Sequence, residues 1–532
     1  MNNKKHRKKK DKNRNKKRGA QQRKRKFLDL RDLPELKQAR ALWSKNRFQD
    51  ALTLFDKTAR KNPMNALALI DGARAFGDRY EFRRAEELIS KLVGHAEKNG
   101  KLLQMAGQTY RMIGRPNKSI ECLEQAVSVD PDLFEARLEL ALLYDRFNDL
   151  EKGLVHAEEC IERHGAPSEA LYLKGQLLRR SKRTEESRLI LESLAKDDTV
   201  HVLVRTKSYF ELGYIYDKQE DYAKAFEVVS AAKKLQFDAS APARKEADRE
   251  SKGFENLFEQ LESNDFQRWK SELDGITEEQ FVFLTGSPRS GTTLLERVIG
   301  SHPDVTSTDE EVALSRYILP NLIRYKKKEE LGVDNLDSIP RSKILDQRQR
   351  YFRYMSHLLN TNIQSGMHVD KNPSLVRLMP AVLRLFPETK VLFALRDPRD
   401  IVVSCFLRFL PINSVSVNYQ TMSGTIESVT TEIRTWIQLK RMIPNEFFEI
   451  RYEDMVAELK QTSEGLVDFL ELEWSDEILN YRESKKEMVN SPTYEDVAKP
   501  VYKSSVGRWQ NYQSFFGSEL NELNLFAKEL GY

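Results

Sequence analysis

The chain has 532 residues, 40% of them hydrophobic and 9% aromatic, which is enough for several domains with buried cores. Its net charge of +6 is concentrated at one end, because residues 1–26 carry 15 Lys/Arg and one Asp, which leaves −8 for the other 506 residues. No apolar run approaches the ~20 residues of a membrane span and no apolar signal-peptide core is present, so neither a transmembrane segment nor export is expected.

The three cysteines, Cys122, Cys160 and Cys405, lie far apart without the spacing of metal ligands. Such a set is typical of a reducing compartment, in which structural disulfides are rare. We therefore expect free thiols and a cytoplasmic location.

A strongly basic tail, residues 1–31, opens the chain. Self-repulsion between its lysines and arginines predicts that it is disordered, since residues 1–26 contain no apolar residue able to anchor a helix. Cations near phosphates release counterions on binding, so weak, salt-sensitive contact with nucleic acid or anionic surfaces is the expected behaviour of this tail.

A 34-residue period begins near residue 32 and predicts a series of helix pairs. Small residues recur at this period and allow two helices to approach closely, while large residues between them fill the neighbouring unit. The small positions are Ala39, Ala73, Gly107, Ala141 and Gly175, with a second series at Ala51, Ala85, Ser119, Gly153 and Ser187. A sixth unit, with Gly213 and Ala225 in the equivalent positions, is displaced by four residues inserted near 200–204.

This period and its small and large positions resemble the tetratricopeptide repeat. The resemblance implies an all-α solenoid of about six repeats over residues 32–236, with a concave groove that binds a protein or peptide. Residues 237–280 are charged and carry no repeat, so we interpret them as a helical connector to a second domain over residues 281–532.

The second domain begins with "FVFLTGSPRSGTTLLERVIGSHPD" from Phe281, which predicts a strand, a turn and a helix. Glycines let the backbone wrap around an oxyanion, and the helix N-terminus supplies N–H donors. The lysine of a nucleotide-hydrolysing P-loop is absent here, and Arg289 supplies a cation from within the loop. The predicted phosphate contacts are Arg289, Ser290, Gly291, Thr292 and Thr293.

Four further segments follow in order along the chain. "HVDKNPS" places Lys371 before a helix-starting proline, and "VLFALRDPRDIVVSCF" places Arg396 at the end of a strand with Ser404 eight residues later. Ligands of α/β sheets bind at the carboxyl ends of strands, which favours a binding role for Arg396. "IRYEDMV" contains Tyr452, and "VYKSSVGRWQNYQ" contains Lys503 and Arg508.

Together, the loop and these segments over residues 281–512 resemble the sulfotransferase family. The family resemblance implies an α/β P-loop-like fold with a parallel sheet and the donor 3′-phosphoadenosine 5′-phosphosulfate (PAPS), used without a metal. It implies that the loop holds the 5′-phosphosulfate and that Arg396 and Ser404 bind the 3′-phosphate. Tyr452, Lys503 and Arg508 are the remaining predicted nucleotide contacts.

The same resemblance suggests the catalytic residues. The D-K-N-P segment is similar to segments of tyrosylprotein sulfotransferases and of bacterial sulfotransferases with N-terminal repeats, which implies that Lys371 contacts the transferring sulfuryl group. In tyrosylprotein sulfotransferases a Glu stands 21 residues after the loop arginine, and this register implies that Glu310 is the general base. The neighbouring Asp309 and Glu311, and His302, are the alternatives, the first two also as the acidic first turn of a helix.

The predicted function is therefore sulfuryl transfer from PAPS to a hydroxyl or phenol, a protein tyrosine among them. The repeats are expected to bind the acceptor or a partner protein. Two alternatives stand beside this function: a P-loop nucleotide kinase-like phosphotransferase, and a repeat scaffold whose transferase domain is degenerate.

Overall fold

The computed structural model describes residues 28–276, 280–323, 332–373, 375–481 and 505–532. The predicted tail up to residue 27 and the predicted nucleotide contact Lys503 lie outside these ranges. The chain divides into two compact units, Met1–Leu140 and Ala141–Tyr532. This division does not coincide with the predicted domain boundaries at residues 31, 236 and 280, which stay predictions.

Fourteen helices lie between residues 34 and 272 of the described chain. Their bounds are α1 (Pro34–Ser44), α2 (Phe48–Lys61), α3 (Ala66–Asp78), α4 (Phe82–Ala96), α5 (Gly100–Met112), α6 (Pro116–Val129), α7 (Phe134–Arg146), α8 (Leu150–His164), α9 (Ser168–Arg180), α10 (Thr184–Lys196), α11 (Val202–Lys218), α12 (Tyr222–Ala239), α13 (Ala241–Gln260) and α14 (Ser263–Glu272). Ahead of them, Asp29 pairs its backbone with Met64 and Ala66, although the predicted tail included it.

The turns inside the helix pairs carry the same period as the small residues. A residue with a left-handed backbone, φ between 57° and 69°, stands between the two helices of each pair: Asn46, Tyr80, Gly114, Asn148, Lys182 and Glu220. The first five are 34 residues apart, and the last follows after 38. Helices α3, α5, α7 and α9 have 13 residues each and α11 has 17, so the predicted insertion lengthens α11 by about one turn.

The small positions are buried where two helices meet. Ala39, Ala73 and Ala141 are fully buried. A Cβ atom on Gly107 of α5 would lie 2.7 Å from Cγ of Leu123 on α6, which is closer than carbon atoms approach without a shift. Small residues therefore recur at the positions where the two helices of one pair pack closely.

We expect Gly107→Ala to lower the free energy of unfolding by about 1–3 kcal/mol, because the added methyl group overpacks the contact with Leu123. The matched control is Gly94→Ala, at an exposed position of α4 where a Cβ meets nothing within 4 Å. There the better helix propensity of alanine should raise stability by about 0.5–1 kcal/mol. Urea denaturation measures the free energy of unfolding of both variants. A change of the same sign and size in both would show that the contact with Leu123 is not overpacked.

The second unit contains a five-stranded parallel sheet in the order β2-β3-β1-β4-β5. The strands are β1 (Phe281–Gly286), β2 (Val305–Asp309), β3 (Met367–Lys371), β4 (Lys390–Leu395) and β5 (Phe447–Arg451). Residues of β1 and β3 are buried throughout, as expected of strands covered on both faces. The predicted fold class, helical repeats followed by an α/β domain with a parallel sheet, is confirmed.

Helices cover both faces of this sheet. Leu295 and Leu466 pack with Leu284 on one face, and Trp436 stacks on Phe393 at 4.3 Å on the other. The helices that follow β1 are α15 (Thr292–Gly300), α16 (Leu319–Ile323), α17 (Val333–Asp337), α18 (Arg341–Leu359), α19 (Met379–Leu385), α20 (Pro398–Phe406), α21 (Met422–Leu439), α22 (Tyr452–Ala457), α23 (Leu459–Phe469) and α24 (Glu519–Glu529). A π-helical segment spans Ala313–Ile318 and a 3₁₀ segment spans Arg508–Phe515.

The last repeat pair shares a core with the α/β domain inside the second unit. Phe226 of α12 stacks between Phe406 of α20 and Phe515, with ring centroids 5.2 and 4.2 Å away. Asp217 of α11 accepts hydrogen bonds from Arg508 and Tyr512, each at 2.6 Å. Among the described residues, no helix combines the length and the apolar character that a membrane span requires.

Candidate active site

Each strand of the parallel sheet delivers one predicted site residue or segment to the same edge. The phosphate loop follows β1, Glu310 follows β2, Lys371 ends β3, Arg396 follows β4 and Tyr452 follows β5. Because all five strands run in one direction, their carboxyl ends lie together, where α/β sheets bind ligands. Motifs that are separated along the chain therefore lie together at one edge of the sheet.

The loop between β1 and α15 is held tightly around its backbone. Gly291 has φ 100°, and a Cβ atom there would lie 2.7 Å from the ring of Tyr452. The hydroxyl oxygen of Ser290 is buried and has no hydrogen-bond partner among the described residues, whereas the buried hydroxyl group of Ser287 interacts with the carboxyl group of Glu432. The backbone turn at a helix N-terminus and the Ser290 hydroxyl group form a cradle suited to an anion.

Arg289 ties the loop to the predicted 3′-phosphate motif. Its Nε donates to the hydroxyl oxygen of Ser404 at 2.9 Å, and its carbonyl oxygen accepts from Nη1 of Arg396 at 3.0 Å. Its φ of 71° is uncommon for a residue with a side chain, and such backbone strain clusters at functional sites. The structure therefore brings together Arg289, Arg396 and Ser404, which are separated by up to 115 residues of sequence.

Arg396 is a buried guanidinium with spare hydrogen-bonding capacity. It is 7% exposed, lies 4.5 Å from the centre of the Tyr452 ring, and donates from Nη2 to the carbonyl oxygen of Ser505 at 2.5 Å. Its Nε is buried without a hydrogen-bond partner in the described part of the chain. A nearby phosphate group would satisfy this donor, and Tyr452 holds the guanidinium in place.

Lys371 is the fully buried cation of the site. Its Nζ lies 2.6 Å from Asp309 Oδ1, 2.8 Å from Glu310 Oε1 and 3.4 Å from the hydroxyl oxygen of Thr293. Burial by itself would lower the pKa of Lys371, but the two carboxylates outweigh it and hold that pKa above its ordinary value. A permanent positive charge therefore stands beside the first turn of α15.

Glu310 is the acidic residue of its segment that faces the site. It lines the cavity described below, and its Oε1 contacts Lys371. Its backbone has φ 55°, and its N–H donates to the carbonyl oxygen of Lys371 at 3.0 Å. Asp309, one residue earlier, pairs with Lys371 from the last position of β2. Of these two carboxylates, only Glu310 lines the cavity in the described residues.

His302, an alternative base, is committed to the backbone. It is 2% exposed, its Nδ1 accepts from the N–H of Asp304 at 3.1 Å, and its Nε2 donates to the carbonyl oxygen of Glu473 at 2.8 Å. Both ring nitrogens are therefore hydrogen-bonded to backbone groups, one in the turn that follows α15 and the other at Glu473. Glu311 does not line the cavity among the described residues.

The C-terminal segment meets the site through Asp400 and Asp217. Asp400 accepts from the N–H groups of Gly507 and Trp509, each at 2.8 Å, and Arg508 pairs with Asp217 at 2.6 Å. The predicted contact of Arg508 with the nucleotide stays a prediction. Arg508 lines the cavity while its Nη2 is held by Asp217.

Arg399, three residues after Arg396, has a structural role. Arg399 pairs with Asp397 at 2.7 Å, donates to Asn524 and lies 4.2 Å from the centre of the Trp509 ring. This network fixes α20 against the C-terminal segment. Arg399 is therefore engaged by neighbouring side chains.

A cavity of about 930 Å³ lies at this edge of the sheet. Lys371 is not among its lining residues in the described chain and contacts two that are, Thr293 and Glu310. On one side the cavity is lined by the phosphate loop, Glu310, Arg396, Ser404 and Tyr452. On the other side it is lined by residues of α7, α9 and α11 from the later repeats, all within the second unit. A volume of this size accommodates a small-molecule ligand.

Sequence reasoning missed three acidic residues that position the site. Asp309 pairs with Lys371, Asp400 anchors the C-terminal segment, and Asp217 holds Arg508. Asp309 was weighed as an alternative base, and Asp400 stands in the R-D-P-R-D motif without an assigned role. Asp217 lies 291 residues from Arg508 in sequence, so no local signal could have joined them.

Both parts of the chain contain segments that match known protein families. Residues 281–476 match the sulfotransferase family. Residues 36–94, 100–133 and 206–238 match tetratricopeptide repeats, which includes the displaced sixth unit.

Individual relatives are distant and match parts of their own length. An uncharacterized protein of Aquifex aeolicus is 25% identical over 66% of this chain, and the match spans 45% of that protein. Protein-tyrosine sulfotransferase 2 of Gallus gallus is 24% identical over 43% of this chain and 62% of its own length. Protein-tyrosine sulfotransferase A of Caenorhabditis elegans is 24% identical over 43% of this chain and 60% of its own.

Solved structures also resemble separate parts. The sulfotransferase domain of an olefin synthase from Synechococcus PCC 7002 is 17% identical, with a TM-score of 0.36, and covers 48% of this chain and 97% of its own. The tetratricopeptide-repeat protein YrrB is 19% identical, with a TM-score of 0.26, and covers 37% of this chain and 90% of its own.

Proposed function

Because residues 281–476 form a domain of the sulfotransferase family, we propose that this chain transfers a sulfuryl group from PAPS to an acceptor hydroxyl or phenol. The observation that carries the proposal is the convergence of the phosphate loop, Lys371 and Glu310 at one sheet edge. PAPS supplies an activated sulfuryl group, whose leaving group is a nucleotide bisphosphate.

The residues present fit such a donor. The unpartnered hydroxyl group of Ser290 and the loop N–H groups suit the 5′-phosphosulfate. The unpartnered Nε of Arg396 suits the 3′-phosphate, and Ser404 lines the same cavity. Tyr452 and Arg508 line the same cavity and complete the proposed nucleotide contacts.

In the proposed mechanism, Glu310 accepts the proton of the acceptor hydroxyl as general base. Lys371 and Arg289 stabilise the negative charge that develops on the transferring and bridging oxygens, since preorganised cations in a dry site act strongly on such charge. The ion pair with Asp309 holds Lys371 at the loop. Thr292 and Thr293, at the start of α15, line the cavity beside it.

The acceptor is proposed from the relatives and from the repeats. Proteins named protein-tyrosine sulfotransferases are among the relatives, so a protein tyrosine is the first acceptor to test. The repeats are proposed to bind the acceptor or a partner protein. Incubating the purified full chain with radiolabelled PAPS and a cell lysate tests this, because label appears in protein, in glycan or in small molecules according to the acceptor. Label in none of them would contradict the proposal.

We expect Arg396→Ala to weaken binding of 3′-phosphoadenosine 5′-phosphate about 10–100-fold and to change binding of adenosine 5′-phosphate little. A hydrogen bond to a charged group contributes about 1.5–3 kcal/mol, and only the first nucleotide carries the 3′-phosphate. Isothermal titration calorimetry of both nucleotides measures the ratio.

The matched control is Arg399→Ala, three residues later on α20, which should keep the discrimination between the two nucleotides because Arg399 is engaged by Asp397 and Asn524. Equal losses for both nucleotides in Arg396→Ala would contradict the 3′-phosphate assignment.

The two alternatives make different predictions. A nucleotide kinase-like phosphotransferase would transfer phosphate from ATP with magnesium. A scaffold with a degenerate transferase domain would fail to bind PAPS or its bisphosphate product in calorimetry.

A further inference from the structure

The later repeats present one face of each first helix to the cavity. Within the second unit, the cavity-lining residues follow helical spacing along α7, α9 and α11. They include Asp145 on α7, Tyr172 and Arg179 on α9, and Lys207, Glu211 and Asp217 on α11. The segment that follows α20 faces them, since Phe409 packs edge-on against Phe210 at 5.6 Å. This part of the repeat face is therefore a wall of the cavity that also contains the phosphate loop.

Positive charge prevails in this cavity. Eight basic and five acidic side chains line it within the described residues. Several of the basic ones are neutralised locally: Arg179 pairs with Glu211, and Arg508 pairs with Asp217. Glu211 also accepts a hydrogen bond from Gln176. These acidic groups are thus occupied by neighbours.

Lys207 differs from these paired cations. In the part of the chain that the structure describes, no carboxylate oxygen lies within 4.0 Å of its Nζ, which instead lies 5.7 Å from the centre of the Tyr172 ring and 5.6 Å from that of Phe409. Burial lowers the pKa of Lys207, and the more distant Glu211 opposes this only in part. A half-buried ammonium group held between two aromatic rings is a ready partner for an anion.

We propose that Lys207 binds an anionic group of the acceptor, so that the enzyme selects acceptors that carry a carboxylate, phosphate or sulfate beside an apolar or aromatic body. This inference rests on the proposed function and adds the chemical class of the acceptor. The anion would pair with Lys207 while Tyr172 and Phe409 contact the body of the same molecule. The later repeats then act as a specificity element of the active site.

Binding of two matched phenols to the full chain saturated with 3′-phosphoadenosine 5′-phosphate tests the inference. The probes are 4-hydroxyphenylacetate and its neutral amide, 4-hydroxyphenylacetamide, measured by calorimetry. In the wild type, the acid should bind at least about tenfold more tightly than the amide, the value of one charge-assisted hydrogen bond. Lys207→Met should reduce this preference to less than about twofold, and Lys207→Arg should retain most of it.

Lys234→Met is the matched control, because Lys234 is exposed on α12 and does not line the cavity in the described residues. It should leave the preference unchanged. Equal binding of the two phenols by the wild type, binding of neither, or the same preference in Lys207→Met would overturn the inference. Since the measurement needs no turnover, a failure of sulfuryl transfer itself would be recognised separately, in the transfer assay.

Discussion

We expect the Glu310→Gln variant to bind PAPS as tightly as the wild type and to turn over about 10²–10⁴ times more slowly, the usual contribution of a general base. Glutamine keeps the size of the side chain and an oxygen that accepts a hydrogen bond from Lys371. It cannot accept the acceptor's proton at neutral pH. Single-turnover kinetics beside calorimetry with the bisphosphate product separate the two effects.

The neighbouring Glu311→Gln is the control for this change. Among the described residues, Glu311 does not line the cavity, so its substitution should leave turnover within about twofold of the wild type. Undiminished turnover in Glu310→Gln would move the base to Asp309, Glu311 or His302. Of these, His302 is already engaged at both nitrogens.

The second large effect is expected from Lys371→Met. Removing a preorganised charge from the site of developing negative charge should lower kcat by about 10²–10³. The change also leaves Asp309 and Glu310 without their shared cation, so the free energy of unfolding should fall by about 1–3 kcal/mol. Steady-state kinetics and thermal denaturation measure the two losses.

A double variant separates chemistry from stability. Lys371→Met combined with Asp309→Asn removes one of the two stranded carboxylates, so it should recover part of the lost stability without recovering kcat. Lys390→Met serves as a surface control, since Lys390 pairs with Glu446 and Glu471 at the amino end of β4. A recovery of kcat in the double variant would show that Lys371 acts through folding alone.

The repeats were predictable because their geometry is local. A 34-residue period of small and large side chains follows directly from helix packing, and the structure confirms it down to the four extra residues of α11. The left-handed turn residues were not predicted, because only Gly114 and two asparagines among them are typical of that backbone. Tyr80, Lys182 and Glu220 adopt it because the two helices of a pair require it.

The candidate site residues could be predicted only because their motifs follow one another in a recognisable order along the chain. Strand ends could be recognised in sequence, and a parallel sheet brings them to one edge, where Arg289, Lys371 and Arg396 lie. Contacts between the later repeats and the C-terminal segment were not, since Asp217 and Arg508 are joined by tertiary packing alone. Cavity residues of the repeats, Lys207 among them, likewise depend on which helix faces the α/β domain.

The role proposed for the later repeats differs from the role that the sequence predicts. The sequence predicts a groove that binds a partner protein. Within the second unit, however, the later repeats share a core with the α/β domain through Phe226 and line its cavity through α11. The proposed role of these repeats is therefore to shape the acceptor side of the active site.

The loop without a P-loop lysine is proposed to serve sulfuryl transfer. The most direct test compares two donors with the purified full chain, using a heat-inactivated lysate as acceptor source and a reaction without the chain as control. The donors are ³⁵S-labelled PAPS in the presence of EDTA and γ-³²P-labelled ATP in the presence of magnesium. We expect ³⁵S in a product that separates from both PAPS and free sulfate and that Glu310→Gln forms at least about 10²-fold more slowly, and no ³²P transfer beyond that of the chain-free control. Transfer of ³²P beyond that control, or absence of ³⁵S transfer, would contradict the proposal.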